Sequence, residues 1–538
     1  MLFKIPMPPS NTLVFKKMSL GHSIRHGAKW VFIGNTGSQV VNFALGLILA
    51  RLLVPAEFGM VATIQIFTSL AGFVAGGGMG QAIVRAKEAG KRDYDLLFTL
   101  QFLIGLAIVS FFFVIAPWFG RWYANPVYAD LLRVAALSFL VRPFFNVPSN
   151  MLHREMRFKA KTAVQLTNLA VYNSIALSLA YLGYGPWSLI LAGLFGSISG
   201  ALQFSWYARW RPGICFDFAR AGELMRYGLL ATSNNVVSYL QSQVTIFILS
   251  RSGNATLVGL FNKALSLAYM PFTMISGSAY EPVFRAIAQS ADNPDRIRYL
   301  YLQSIRLGCI YTYPIYVLLY WLAPEAIRFF YGANWLGSAE PLSILIFAGF
   351  FMSIGHPAGA LLAAINLLGK ELVIQLVNLV ILILGMLIAI PYGLKGAAWV
   401  VVFSQFVGMI YITFVACQAI RIRFVDIAHA VIPAAVHAII LLISLAMLEK
   451  LAGNVIHGDF LTLAFFGTAA AGIIVLGGLF SPFEAMRAES KKMIGVVRNR
   501  LALAGNKNNE SENFSNRFLS TSIPPHSRKR FVVGKRFY

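Results

Sequence analysis

A chain of 538 residues with 57% in the hydrophobic set and only 12% charged carries more apolar surface than water tolerates, which excludes an ordinary soluble domain and points to a membrane protein. Its formal charge of +24 at pH 7 would suit nucleic acid. The basic residues, however, sit in short connections between apolar runs, where insertion bias and anionic headgroups account for them, so anionic membrane lipids are expected partners and nucleic acid is not.

In chain order, residues 1–29 read as a basic cytoplasmic segment without a compact apolar run and cleavage site, so no removable signal peptide is expected, and Met18 is an alternative start to Met1. His22 and His26 have helical ligand spacing but no acid or thiol nearby, and Cys215, Cys309 and Cys417 never fall in CxxC spacing. Neither metal site, disulfide nor cofactor is expected. Fourteen apolar runs follow, at 30–50, 59–80, 97–116, 130–150, 162–182, 186–207, 228–250, 258–280, 303–323, 342–364, 372–391, 395–416, 430–448 and 460–480. Each approaches the roughly 20 residues a helix needs to cross a bilayer, so the fold expected is an all-α polytopic membrane protein with about 14 transmembrane helices. No connection is long enough for a separate soluble domain. Residues 483–538 are polar, basic and Pro-containing and read as a disordered cytoplasmic tail.

Lys and Arg in the first segment, the even-numbered connections and the tail outnumber those in the odd-numbered connections more than four to one. That asymmetry places both termini in the cytoplasm. The minority is Arg51, Arg121, Arg133, Arg251, Lys263, Arg328, Lys395 and Lys450.

The chain also repeats. At an offset of 200 residues Asn35, Ser38, Ile48, Leu49, Arg51, Gly59, Gly77, Arg85 and Ala86 match Asn235, Ser238, Ile248, Leu249, Arg251, Gly259, Gly277, Arg285 and Ala286; at 210, Gln165–Leu169 echoes Gln375–Leu379 and Gly183 echoes Gly393. Units six helices apart share one orientation, so two six-helix lobes related by an axis along the membrane normal are expected, at 30–226 and 227–427. Residues 428–482 add two helices outside the repeat. A cleft between the lobes follows, and Arg51 and Arg251 fall at equivalent hairpin tips.

Polar residues inside the apolar runs mark candidate binding positions. Asn35, Gln39 and Asn42 lie on one face of the first helix, and Asn235, Ser238, Ser242 and Thr245 on the seventh. A polar stripe repeated in both halves reads as cavity lining. Gln165, Asn168, Gln375 and Asn378 read as interhelical hydrogen bonding. Arg142 stands inside the fourth run, where a charge is costly and therefore a functional candidate. The carboxylates fall in connections or last turns, Glu281 and Glu371 nearest the membrane, which suits an anionic substrate better than a cation antiporter. No nucleophile, base and oxyanion group occur together, so no enzyme is expected. The GGGMG stretch, Gly76–Gly80, lacks the ending of a phosphate loop and reads as close helix packing.

The stretches LILARLLVPAEFGMVATIQIF, GGGMGQAIVRAKE, NVPSNMLHREMRFKAKT and GYGPWSLI together resemble the lipid-linked oligosaccharide flippases related to Wzx and WzxC, of the multidrug/oligosaccharidyl-lipid/polysaccharide exporter superfamily. The resemblance covers roughly residues 20 to 480. It implies an inner-membrane transporter, expected as a monomer, that moves a polyprenyl-diphosphate-linked sugar unit to the outer leaflet for exopolysaccharide, O-antigen or capsule synthesis. A polysaccharide polymerase and export proteins are candidate partners. The resemblance also implies a cationic cavity, a role carried to Arg51, Arg142 and Arg251. Substrate-binding candidates are therefore Asn35, Gln39, Asn42, Arg51, Arg142, Asn235, Ser238, Ser242 and Arg251. A cation-coupled multidrug antiporter of the same superfamily is the alternative, and a membrane glycan polymerase a more distant one.

The charge asymmetry gives a direct test. Single cysteines introduced after residues 51, 184, 253 and 334 should react with an impermeant thiol reagent on intact cells, and those near 90, 157 and 292 should not; external labelling at 157 breaks the fourteen-span map.

Overall fold

Backbone groups in lipid have no water to bond, so each apolar run has to satisfy its own peptide hydrogen bonds and becomes a helix. The computed structural model describes residues 37–76 except 40, then 78–80, 83, 90–217, 222, 236–251, 254–452, 458–492 and 494–495, and these are almost entirely helical, with no strand among them. Asn35 and Asn235 lie outside the described residues.

The first half comprises α1 (Gly37–Leu52), α2 (Pro55–Gly76), α3 (Lys91–Trp122), α4 (Val127–Arg154), α5 (Phe158–Tyr181) and α6 (Trp187–Ala208). The second begins with α7 (Val236–Ser250) and α8 (Ala255–Phe272), which runs through a π turn, Thr273–Gly277, into α9 (Ser278–Ala288). There follow α10 (Pro294–Trp321), α11 (Ala323–Tyr331), α12 (Ala339–Ala364), α13 (Leu368–Ala389) and α14 (Gly393–Ile420), then α15 (Phe424–Ala452) and α16 (Asp459–Leu479).

A helix overlaps each of the fourteen expected spans. Eight candidate spans are long and apolar enough by themselves to cross a membrane, or nine with the α10–α11 pair, whose axes bend by 80°. One of those eight, Gly369–Ile420, is a hairpin: a 3-10 turn, Ile390–Tyr392, reverses the chain, and Gly385 of α13 packs on Val400 of α14. The remaining helices, α1, α5, α7 and the α8–α9 unit, are short or carry the polar stripes, which is consistent with fourteen crossings.

The buried side chains fall into separate cores. One, including Leu131, Leu132, Ala176 and Ile190, is internal to the first half. Another joins α10, α12, α14, α15 and α16 around Tyr301, Ile305, Leu361 and Leu441. A third, around Ile66, Phe261, Trp335 and Leu345, contains residues of both halves. Residues 484–492, expected within the disordered tail, form a helix instead. Its buried Glu489 accepts a hydrogen bond from Tyr311 of α10 at 2.7 Å and pairs with Lys492.

The closest approach between the halves is the crossing of α2 with α8. A Cβ at Gly59 would overlap the carbonyl oxygen of Ala255, and a Cβ at Gly259 would overlap that of Pro55. Gly59 and Gly259 are repeat mates, as are Pro55 and Ala255, so the crossing is reciprocal. Small residues are what allow helices this close in a bilayer, where van der Waals contact drives their association. Thr63, one turn beyond Gly59, returns its hydroxyl to the Gly59 carbonyl at 2.9 Å and leaves no buried polar group unpaired there.

Gly59→Ala and Gly259→Ala should each force the two helices apart, at about 1–3 kcal/mol for overpacking, and lower the thermal midpoint of the purified protein. The double variant should cost less than the two together, since one separation relieves both overlaps. Wild-type midpoints in both single variants would show that the crossing is not tight.

Candidate functional site

Beside that crossing lies a cavity shared by the halves. Two of its compartments are about 310 Å³ each, one lined by Gln39, Asn42, Lys263, Ser266, Met270 and Tyr331 among others, the next by Asn42, Phe58, Gln65, Asn173, Asn262 and Lys263. A side compartment of about 460 Å³ opens from it into the first half between α1, α5 and α6. Asn42 lines all three. The α1 stripe is therefore cavity lining as far as Gln39 and Asn42 are concerned; both are exposed to it, without a hydrogen-bond partner among the described residues.

Sequence reading missed Lys263, which it counted with the connections. The side chain stands on α8 one turn beyond Gly259, and its Nζ is held among three rings: Phe58 at 4.7 Å, Tyr331 at 4.9 Å and Trp335 at 5.4 Å from the centroids. Phe58 meets Trp335 edge-on at 5.2 Å, fixing the walls of this cage. Ring faces carry negative quadrupole density that steadies a cation without neutralising it. No carboxylate lines these compartments among the described residues, so none competes with an anion for the ammonium.

The three arginines go elsewhere. Arg51, exposed at the end of α1, donates from Nε to the Phe330 carbonyl at 3.2 Å and from a terminal nitrogen to the Phe329 carbonyl. It thus satisfies the last carbonyls of α11, which no further helical turn can pair. Arg251 lies over the Trp122 ring at 4.1 Å. Arg142 is half-buried between α4 and α2, its guanidinium against Gly72 and its carbon centre 5.5 Å from the Phe139 ring, outside the compartments described.

Arg51 and Arg251 each reach across to the other half, and the two positions just before them do the same. Trp335 donates from Nε1 to the Ala50 carbonyl at 2.7 Å, and Tyr123 shares a hydrogen bond of 3.0 Å with Ser250. Ala50 and Ser250 are repeat mates. The hairpin-tip end of the cavity is closed by a twofold set of contacts, each pairing the end of the first helix of one half with an aromatic or carbonyl of the other.

In the second half the polar stripe behaves differently. Ser238 donates to Gln375 at 3.0 Å, and Ser242 returns its hydroxyl to the Tyr239 carbonyl at 2.7 Å. Asn378 is buried against Gly408. A compartment of about 160 Å³ remains there, lined by Gln241, His356, Glu371, Gln405 and Met409 with others.

Comparison with known proteins adds three kinds of likeness. A family model described as "Polysaccharide biosynthesis protein" matches residues 48–340, more than half of the chain. Among curated proteins, the lipopolysaccharide biosynthesis protein WzxC of Escherichia coli (strain K12) is 24% identical over 355 residues, covering 64% of this chain and 71% of that relative. The teichuronic acid biosynthesis protein TuaB of Bacillus subtilis (strain 168) is 23% identical, with 64% and 72% covered, and the succinoglycan biosynthesis transport protein ExoT of Rhizobium meliloti (strain 1021) 25%, with 60% and 65%. Among solved structures, the lipid II flippase MurJ in an inward closed conformation superposes with a TM-score of 0.68 at 17% identity, over 83% of this chain and 98% of that one. An inward-facing multidrug resistance MATE family transporter of the MOP superfamily gives 0.58 at 17%, over 71% and 94%. The fold is the one these transporters share.

The geometry of the closed end is testable. With a reporter cysteine at Gly46, which lines the cavity, Arg51→Lys and Arg251→Lys should each speed its modification by an impermeant reagent from the hairpin-tip side. Losing a bidentate or ring-stacked guanidinium is worth about two- to tenfold. Unchanged rates in the double variant would show that these arginines do not hold the end shut.

Proposed function

The chain belongs to the polysaccharide biosynthesis protein family, and from that premise we propose that it flips a polyprenyl-diphosphate-linked oligosaccharide across the bacterial cytoplasmic membrane for surface polysaccharide synthesis. The observation that carries the reading is Lys263, a cation in a ring cage with no carboxylate beside it among the described residues, facing a cavity whose other polar lining is Gln39, Asn42, Ser266 and Thr273. A diphosphate brings the negative charge such a site lacks, and a lysine ammonium binds phosphate as a point charge. The relatives support it: one is named a transport protein, and the three are named for the biosynthesis of lipopolysaccharide, teichuronic acid and succinoglycan.

The charge asymmetry puts the hairpin-tip end outside and the termini inside. The contacts of Arg51, Arg251, Tyr123 and Trp335 then shut the cavity against the outer surface, leaving the substrate to enter from the cytoplasmic side. The protein acts as a transporter and not an enzyme, with anionic lipids around its basic inner face and a polymerase and export proteins as successive users of the flipped unit. The drug-antiporter reading is disfavoured because the cavity's charge has the wrong sign for an organic cation.

Deleting the gene should abolish surface polysaccharide and leave lipid-linked repeat units on the inner leaflet, with wild-type protein restoring export. Lys263→Met should fail to restore it at normal protein levels, and Lys263→Arg should restore it in part. Normal polysaccharide in the deletion strain, with no second flippase gene present, counts against the proposal.

A further inference from the structure

The internal repeat provides a control inside the molecule for what each half's amides do. In the second half Gln375 is bonded by Ser238, and with Asn378, Gln405 and Met409 it lines a compartment of only about 160 Å³. In the first half the equivalents are left open. Gln165, the repeat mate of Gln375, faces the side compartment with no hydrogen-bond partner among the described residues, and the buried Oδ1 of Asn168 has none either.

The reason is on α6. Asn168 rests against Gly196 as Asn378 rests against Gly408, which sets α6 against α14. In that register Gly193 and Ser197 stand where the second half has Gln405 and Met409, both of which fill its compartment. A Cβ at Gly193 would meet open space. The first half has thus kept small residues on α6 and unpaired amides on α1 and α5, giving about 460 Å³ against about 160 Å³ in its mate. That volume lies within the range of small-molecule sites, roughly 300–1,000 Å³.

We propose that this side compartment is a glycan-binding site, in which Gln39, Asn42, Gln165 and Asn168 hydrogen-bond the hydroxyls of an uncharged sugar beside the Tyr172 ring. The inference rests on the transport reading above and deepens it. Each amide offers two donors and an acceptor, the complement of a row of hydroxyls that both donate and accept, and an aromatic ring supplies a flat apolar face with a polar handle. Among the described residues no Lys, Arg, Asp or Glu lines the compartment, so an ionic headgroup finds no partner there, while Asn42 and Tyr172 connect it to the Lys263 compartment. The diphosphate and the sugars of one substrate would therefore be read by different walls: charge by α8 and its rings, hydroxyls by α1, α5 and α6. A site that leaves amides unpaired when the matching hydroxyl is missing discriminates strongly, which makes this wall the determinant of which sugar unit is carried.

The test separates the two walls. Purified full-length protein in detergent is titrated with a polyprenyl diphosphate bearing no sugar, and with lipid-linked oligosaccharide extracted from cells of the source organism. Wild type should bind the sugar-bearing probe about tenfold or more tightly than the bare one. Ser197→Met, which copies the second half, and Gln165→Leu, at a position facing the compartment, should remove most of that advantage while leaving the bare probe within about twofold. Should Ser197→Met fail to give monodisperse protein, Gln165→Leu decides. Lys263→Met should weaken both probes. Equal binding of the two probes by wild type, or equal loss of both in the compartment variants, overturns the glycan assignment and leaves the diphosphate reading standing. Binding of neither probe by wild type overturns the transport reading, and this inference with it.

Discussion

The two halves meet backbone to backbone at the crossing of α2 with α8, where Gly59 and Gly259 bring them together without intervening side chains. In a bilayer no hydrophobic force draws helices together, so a contact of this kind is what keeps two halves in one protein while leaving the surfaces on either side free to part. Its position decides the rest. Beyond the crossing, toward Arg51 and Arg251, the halves interlock; behind it, one turn along α8, Lys263 faces the cavity from inside an aromatic cage built by α2, α11 and the turn before α12.

The interlock uses the repeat twice. Each half contributes the last turn of its first helix, ending in Ala50–Arg51 or Ser250–Arg251, and receives an aromatic from the other half, Trp335 or Tyr123. A cation over a ring is worth about 0.5–2 kcal/mol, depending on desolvation, and a neutral hydrogen bond about 1 kcal/mol net. Four contacts of that size sum to a few kcal/mol, comparable to the differential affinity a ligand has to supply to invert a two-state equilibrium.

Helices and repeat were legible because each leaves a local signal: an apolar run of membrane length, a glycine or arginine recurring at a fixed offset. Gln39 and Asn42 were legible for the same reason, being spaced on one helical face. Lys263 was not, since its cage comes from Phe58, Tyr331 and Trp335, and no periodicity links positions so far apart. A lone lysine inside an apolar run was a usable signal that the charge count absorbed into a connection. From sequence Arg51 and Arg251 fit a cavity cation or a helix-end anchor equally well, and only the α11 carbonyls and the Trp122 ring, brought in from the other half, show what lies beside them. Gln165 and Gln375 sit in nearly identical pentapeptides, QLTNL and QLVNL, and both line a compartment, yet Gln165 has no hydrogen-bond partner among the described residues while Gln375 accepts from a serine. The difference lies on another helix, in Gly193 and Ser197 against Gln405 and Met409.

That divergence also argues about mechanism. Two identical halves would give a symmetric cavity, suited to a symmetric ligand or to none in particular. A lipid-linked oligosaccharide is polar at one end, charged in the middle and apolar along its tail, so it has no twofold axis to match. Keeping the repeat at the crossing and at the closing contacts preserves the symmetric motion. In the proposed reading, breaking it at Lys263, at α6 and at Gln165 gives the substrate one orientation in which charge and hydroxyls are both met. The first half, with its unpaired amides, is then the one that reads the cargo, while Gln405 and Met409 line the smaller compartment of the other.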